Sequence, residues 1–298
     1  MTAPTVSAPA GAVNAPRHSP RPPRAGSRAG SILRWVLLVL AVIVALLPFV
    51  WMLRTALGPA QTAIDQTAAL FPSSVTGDNF RRAWTDLDLA TALTNGVIVS
   101  GAVLILQMIT SVAAGYAFAC LRFPGRNVLF VLVLVGMLIP PQTVAVPNYV
   151  TISGLGLADT RFGLVLPFAA NAIGVFLMRQ YMSTVPTSLL EAARMDGLGP
   201  WRTLLKVVLP QSMPAVATVA TFSFLVNFSE YLWPLLVARS PSNYTPPLAL
   251  AQFTTSVGLP DFAELSAAAL IISLPSLVIF LIAQRRLTAG LAGSGTAI

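Results

Sequence analysis

The chain has 298 residues, of which 55% are hydrophobic and only 9% charged, and its net charge is +8. With a mean hydropathy of +0.77, this composition lies far from the balance of a soluble domain and leaves no room for a large soluble catalytic domain. A single cysteine, Cys120, and a single histidine, His18, exclude an internal disulfide, a cysteine metal cluster and histidine catalysis.

No Gly-x-x-x-x-Gly-Lys-Ser/Thr phosphate loop occurs, so any ATP used is bound by another chain. A membrane span needs about 20 consecutive, mostly apolar residues. Six stretches qualify, roughly 32–53, 93–119, 128–149, 164–182, 214–237 and 265–283. The expected fold is therefore all-α, a polytopic membrane protein with six transmembrane helices.

In chain order, residues 1–31 are rich in Ala, Pro, Ser and Arg without apolar periodicity, the pattern of a disordered, orientation-setting tail. The apolar run 32–53 is too long for a cleaved signal peptide and is expected to be the first transmembrane helix. An external segment follows over 54–90, with a short amphipathic helix near 79–87 at the membrane surface. The core over 91–285 holds the other five spans. Its first span carries Gly96, Ser100, Gly101, Ser111, Ala114 and Gly115, small residues that let membrane helices approach closely. Leu121-Arg122-Phe123-Pro124-Gly125-Arg126 then makes a tight cytoplasmic turn.

The third span contains Ile139-Pro140-Pro141-Gln142 and later Pro147. Prolines remove backbone donors and bend the helix. The bend is either a fixed kink or, as in transporters with broken helices, the wall of a cavity. A loop over about 186–210 is the most polar inner part. Ser188 and Glu191 have capping-box spacing, Gly197 suits a left-handed helix stop, and Pro200 suits the first turn of a second helix. In that second helix Trp201, Leu204, Leu205 and Val208 repeat at helical spacing, and Pro210 ends it. The unit is either a connector at the lipid surface or a docking knob for a soluble partner. Glu230 is the only acid inside a proposed span. It is a functional candidate by default, but its depth also fits a hydrated structural role. Tyr231 and Trp233 beside it are either an aromatic belt or a sugar-stacking surface.

Charge sets the expected topology. With the tail inside, Arg17, Arg21, Arg24, Arg28, Arg34, Arg122, Arg126, Arg179, Arg194, Arg202, Lys206, Arg285 and Arg286 lie in the cytoplasm. Asp65, Asp78, Asp86, Asp88, Asp159, Asp261 and Glu264 lie outside. This positive-inside bias places both termini in the cytoplasm, with 286–298 as a tail. It explains the net charge as a topology signal, and no nucleic-acid partner is expected.

The loop reads Glu191-Ala192-Ala193-Arg194-Met195-Asp196-Gly197 and later Leu209-Pro210. It resembles the EAA loop of ABC-importer inner-membrane permeases. Asn95-Gly96, Tyr116-Ala117-Phe118-Ala119, Leu121-Arg122-Phe123-Pro124-Gly125, Ile139-Pro140-Pro141-Gln142 and Phe176-Leu177-Met178-Arg179-Gln180 match further blocks. So do Tyr231-Leu232-Trp233-Pro234-Leu235 and Gln284-Arg285-Arg286 with Gly290-Leu291. Together they are similar to the carbohydrate-uptake branch over roughly 30–292. Phe228-Ser229 departs from the Trp-Asn that usually precedes the acid there.

The resemblance implies a type I ABC importer permease fold. Its implied partners are a second permease subunit, an ABC ATPase dimer, an extracellular solute-binding protein, a sugar substrate and membrane lipid. It further implies that ATP and magnesium sit on the ATPase, so that this chain has no catalytic residue and binds no cofactor or metal. The implied coupling residues are Glu191, Ala192, Ala193, Arg194, Asp196, Gly197, Leu209 and Pro210, with Leu190 or Met195 filling a hydrophobic pocket. Glu230, Tyr231, Trp233 and Gln142 are the candidates for the solute pathway. A glycerol-phosphate or polyol permease is the alternative within the family. A secondary transporter, which would need coupling acids at mid-membrane, is the alternative outside it.

Overall fold

Long apolar runs without internal breakers give long helices, and proline or an amide-serine pair gives the breaks. The computed structural model describes residues 28–59, 72, 74–256 and 261–293, and its backbone there is helical with no strand among the described residues. The chain divides after Pro48 into two units. The first contains the leading part of α1 (Arg28–Leu57), an unbroken apolar helix whose side chains from Ile32 to Phe49 are all more than a third exposed. The expected tail over 1–31 lies outside the described residues as far as residue 27, and from Arg28 its backbone is already helical.

The second unit holds the remaining elements. They are α2 (Asp78–Asp86), α3 (Leu89–Cys120), α4 (Arg126–Met137), α5 (Pro141–Gly154), α6 (Arg161–Val165), α7 (Ala172–Met182), α8 (Thr187–Met195), α9 (Pro200–Thr203), α10 (Leu209–Gln211), α11 (Met213–Phe228), α12 (Leu232–Val237), α13 (Pro246–Ser256) and α14 (Phe262–Gly293). Three helices are long and apolar enough to cross a membrane alone: Ser31–Leu57, Leu89–Cys120 and Phe262–Gln284. Three pairs pass together but are bent, α4 with α5 by 98°, Arg161–Phe168 with α7 by 45°, and Pro200–Gln211 with α11 by 82°. The last bend carries the loop helix across the end of α11 rather than along it.

Two expected spans are corrected by this geometry. The stretch 164–182 is interrupted between Phe168 and Ala172, where Pro167 sits in a 3-10 turn and the Asn171 side chain accepts from the amides of Ile173 and Gly174 to start α7. The stretch 214–237 is interrupted between Phe228 and Leu232. At the far end, the tail expected over 286–298 is helical as far as Gly293 because α14 continues through it, and 294–298 lie outside the described residues.

Helix α3 is the central post. Gly115 lies so close to α7 that an added Cβ would stand 2.6 Å from the Met178 Cβ, and one on Gly174 would stand 2.4 Å from the Ser111 hydroxyl. The small-residue face is thus used for close approach, although Gly101 faces open space. Met178, Met182, Leu204 and Val208 are fully buried around this contact with Tyr116.

Helix α2 is held by polar bonds. The Asn79 amide donates to the carbonyls of Ala56 and Gly58, both at 2.7 Å. Arg82 donates to Asn79 at 2.7 Å and to Asp261 at 2.9 Å, and its guanidinium lies 3.5 Å from the buried Glu264 carboxylate. Farther along, Asp159 in the α5–α6 loop clasps the segment after α12. It accepts from the backbone amides of Arg239 and Ser240, the Ser240 hydroxyl and the Asn243 amide. These bonds, led by the Ser240 hydroxyl, hold its carboxyl well below the usual carboxylate range.

Candidate functional site: a presented loop and a cavity at three helix breaks

The loop helix α8 starts two positions earlier than a Ser188–Glu191 capping box requires. Pro186 occupies the N-cap at φ −56°, and no side chain caps the helix. Proline has no N–H to satisfy and disfavours helix in the residue before it, so the start is fixed there. Ser188 falls inside the first turn, and Glu191 is left exposed with no side-chain hydrogen bond or salt bridge among the described residues.

The other end matches the expectation. Gly197 has φ +71°, its amide donates to Arg194 O, and the Leu198 amide donates to Ala193 O, each at 3.0 Å. This is a Schellman stop. Nothing lies within 4 Å of a Cβ placed on Gly197. Pro200 then opens α9, which passes through a π turn (Leu204–Val208) into α10. In that turn the Leu209 amide reaches back to Leu204 O. The wider turn relieves the clash that the Pro210 ring would otherwise make with the preceding carbonyls.

The apolar stripe of this second helix is split. Leu204 and Val208 are buried in the core around Tyr116 and Met182, half-buried Leu190 packs against them as the root of the loop, and Ala193 is buried beside it in α8. Trp201 and Leu205 are 70% and 59% exposed, and Met195 is 87% exposed. Met195 is thus open to solvent, whereas Leu190 packs against the core. Glu191, Ala192, Arg194, Asp196, Gly197 and Pro210 are exposed, and Leu209 is half-buried. The loop thus presents two acids, Glu191 and Asp196, three bases, Arg194, Arg202 and Lys206, and the large apolar side chains of Met195, Trp201 and Leu205 on a rooted turn.

The second feature is an open cavity of about 490 Å³. The breaks between α4 and α5, between α6 and α7, and between α11 and α12 all meet at it. Its apolar walls include Ile139, Phe168, Phe222 and Val226. Its polar groups are Gln107, Gln142, Asn148, Asn171, Asn227 and Glu230. Glu230 accepts from the Trp233 amide at 3.2 Å and so starts α12. Gln107 is buried and spent on structure: its amide donates to Phe168 O at 2.9 Å and its carbonyl accepts from Ser223. Thr110 also donates to Ala169 O at 3.2 Å, so α3 holds the break that presents Asn171.

Of the four residues expected along a pathway, Gln142, Glu230 and Trp233 line this cavity, and Tyr231 does not; it borders a separate hollow with Pro247 and Leu250. Trp233 is 3% exposed, donates to Gly163 O at 3.1 Å and stands edge-on to Phe168. Such burial rules out the aromatic-belt assignment for Trp233. Asn148, Asn171 and Asn227 were missed by sequence reasoning, although an amide inside an apolar run was the available signal. Among the described residues no three His, Cys, Asp or Glu side chains cluster as metal ligands.

Comparison with known proteins agrees with this architecture. Residues 108–293 match the family of binding-protein-dependent transport system inner membrane components. The chain is 30% identical over 263 residues to the diacetylchitobiose uptake system permease protein NgcG of Streptomyces coelicolor, covering 87% of this chain and 86% of that protein. It is 31% identical over 274 residues to the arabinooligosaccharides transport system permease protein AraQ of Halalkalibacterium halodurans, covering 90% and 98%. A chain of a bacterial ABC transporter involved in the import of the acidic polysaccharide alginate shares the fold at a TM-score of 0.77 and 23% identity, over 90% of this chain and 99% of that one. With its helical breaks, its presented loop and these matches, the chain belongs to the family of binding-protein-dependent transport system inner membrane components, the permeases of ABC importers.

Proposed function

We propose that the chain is one of two permease subunits of an ATP-driven importer that carries a sugar or oligosaccharide across the cytoplasmic membrane. The observation that carries this reading is the rooted, outward-facing loop: Glu191 and Arg194 beside the exposed Met195, Trp201 and Leu205. Such a surface gains stability only when covered, and the two charges set the register of what covers it. In this reading a partner ATPase dimer binds ATP and magnesium, and the permease itself is not an enzyme. Closure of the ATPase pulls the loops of both permeases together and biases the packing of spans between two states. An extracellular solute-binding protein delivers the solute to the cavity at the three breaks.

The charge distribution supports a topology with both termini in the cytoplasm, the loop over 186–210 inside, and the Asp159 clasp and α2 outside. The named cargoes of the relatives NgcG and AraQ support a saccharide. Residues 91–285 form the transport core in this scheme, with α1 ahead of it.

The test is reconstitution with the cognate partners in proteoliposomes. Sugar uptake should require ATP and the solute-binding protein, and should vanish when the ATPase is left out. Sugar passage through this chain without the ATPase, or ATP hydrolysis by the purified chain, would overturn the proposal.

A further inference from the structure

We infer that the cavity at the three helix breaks is a charge filter, in which the Glu230 carboxylate admits uncharged saccharides and rejects anionic ones. The inference rests on the importer reading above and narrows its substrate class.

The polar atoms of the cavity are unequally engaged. Gln107 is buried and both ends of its amide are used. The Asn171 carbonyl is used on the amides of Ile173 and Gly174, which leaves its NH2 as a donor. The Asn227 NH2 is used on Ser223 O at 2.7 Å, which leaves its carbonyl as an acceptor. Gln142 and Asn148 line the cavity, and among the described residues neither end of either amide has a partner. Glu230 spends one oxygen on the Trp233 amide, and the other remains. A hydroxyl both donates and accepts, and this mixture of carboxamide donors and acceptors fits it. The apolar walls provided by Ile139, Phe168 and Phe222 fit the C–H faces of a sugar ring.

The charge balance is one-sided. Among the described residues lining the cavity, Glu230 is the one charged group, and no Arg, Lys or His joins it. A phosphate or carboxylate entering here would lose water without gaining a cation, beside a like charge in a partly dehydrated site. Like-charge juxtaposition of this kind costs about 100-fold in affinity. A carboxamide in place of Glu230 keeps the acceptor for the Trp233 amide, so Glu230→Gln removes the charge while retaining the start of α12.

Two measurements on the assembled transporter test this. In the first, Asn148→Cys is introduced with Cys120→Ala. Its reaction rates with a trimethylammonium-ethyl and a sulfonatoethyl methanethiosulfonate are compared with those of a free thiol. The cationic reagent should be favoured over the anionic one, and Glu230→Gln should lower that preference by about tenfold. An equal preference with and without Glu230→Gln overturns the inference, as does failure of both reagents to reach position 148. The second is uptake in proteoliposomes, comparing the neutral arabinotriose and diacetylchitobiose with digalacturonate and sn-glycerol 3-phosphate. The expected result is ATP-dependent uptake of a neutral probe and of neither anion. ATP-dependent uptake of an anion at a rate comparable with a neutral probe sinks the filter and leaves the importer reading standing. ATP-independent uptake sinks the importer reading, and the labelling ratio alone then decides the filter.

Discussion

Gly197→Val isolates the coupling function of the loop from its folding. At φ +71° a side chain bearing Cβ costs about 1–2 kcal/mol, with a β-branched one at the upper end. No atom lies within 4 Å of the added Cβ, so the penalty is conformational and no neighbour is displaced. A penalty of that size lowers the population of the docking-competent turn about 5–30-fold. The variant should therefore insert normally, while ATPase co-purification and sugar uptake fall by about that factor. The chain supplies its own control. Gly156 also has φ +71°, its amide donates to Ser153 O and the Leu157 amide to Ile152 O, each at 3.0 Å, and its Cβ position is equally empty. Gly156→Val carries the same strain in the same motif away from the loop, and should co-purify with the ATPase at the wild-type level. Gly197→Asn should recover most of the loss, because Asn tolerates the left-handed region. Equal co-purification for Gly197→Val and Gly156→Val would refute the docking role and leave the loop as a connector.

Three further outcomes follow from the packing. Gly115→Ala should lower thermal stability in detergent by about 1–3 kcal/mol, since the new methyl meets Met178 and the backbone of α7 rather than a movable side chain; an unchanged melting temperature would contradict the close approach. Asn79→Ala should cost about 1–3 kcal/mol by leaving the carbonyls of Ala56 and Gly58 without their donor, readable as the same kind of melting shift. Asp159→Asn should speed amide exchange at Arg239 and Ser240 at neutral pH. In the wild type the lowered carboxyl contributes stability above its ordinary value of about 3.9 and loses it only as pH falls through its folded value. Protection factors at these amides, with intrinsic exchange divided out, should stay flat from pH 8 to about pH 5 and fall in stronger acid.

The sequence revealed what depends on local chemistry and hid what depends on distant partners. Gly197 and Pro200 announced their roles because a left-handed stop and a first-turn proline are properties of one residue. Pro140-Pro141 likewise announced a break, though not its 98° angle. The breaks at 169–171 and 229–231 were hidden because the flanking residues are as apolar as any span; only Pro167, Asn171, Ser229 and Glu230 mark them, and each is also tolerated in an unbroken helix. The apolar stripe of α9 and its continuation was legible as a stripe. Its division into buried Leu204 and Val208 and exposed Trp201 and Leu205 was not, because the adjacent and identical Leu204 and Leu205 are separated only by the position of the α3–α7 core. The capping box failed for a plain reason: Pro186 sets the helix start before Ser188 can.

The bonds that hold α2 also bear on how the protein is made. Arg82 and Asp261 are 179 residues apart, yet the first is bonded to the second and lies beside Glu264, while Asn79 is tied back to Ala56 and Gly58. During synthesis the segment around α2 leaves the ribosome long before α14 exists, so its guanidinium waits without its carboxylates until the final span is inserted. Closing so long a loop is a late event. A chain cut short before Asp261 and α14 lacks both carboxylates and leaves Arg82 with its Asn79 bond and α2 with its ties to Ala56 and Gly58, so the final helix completes a charge pairing that the first third of the chain leaves open.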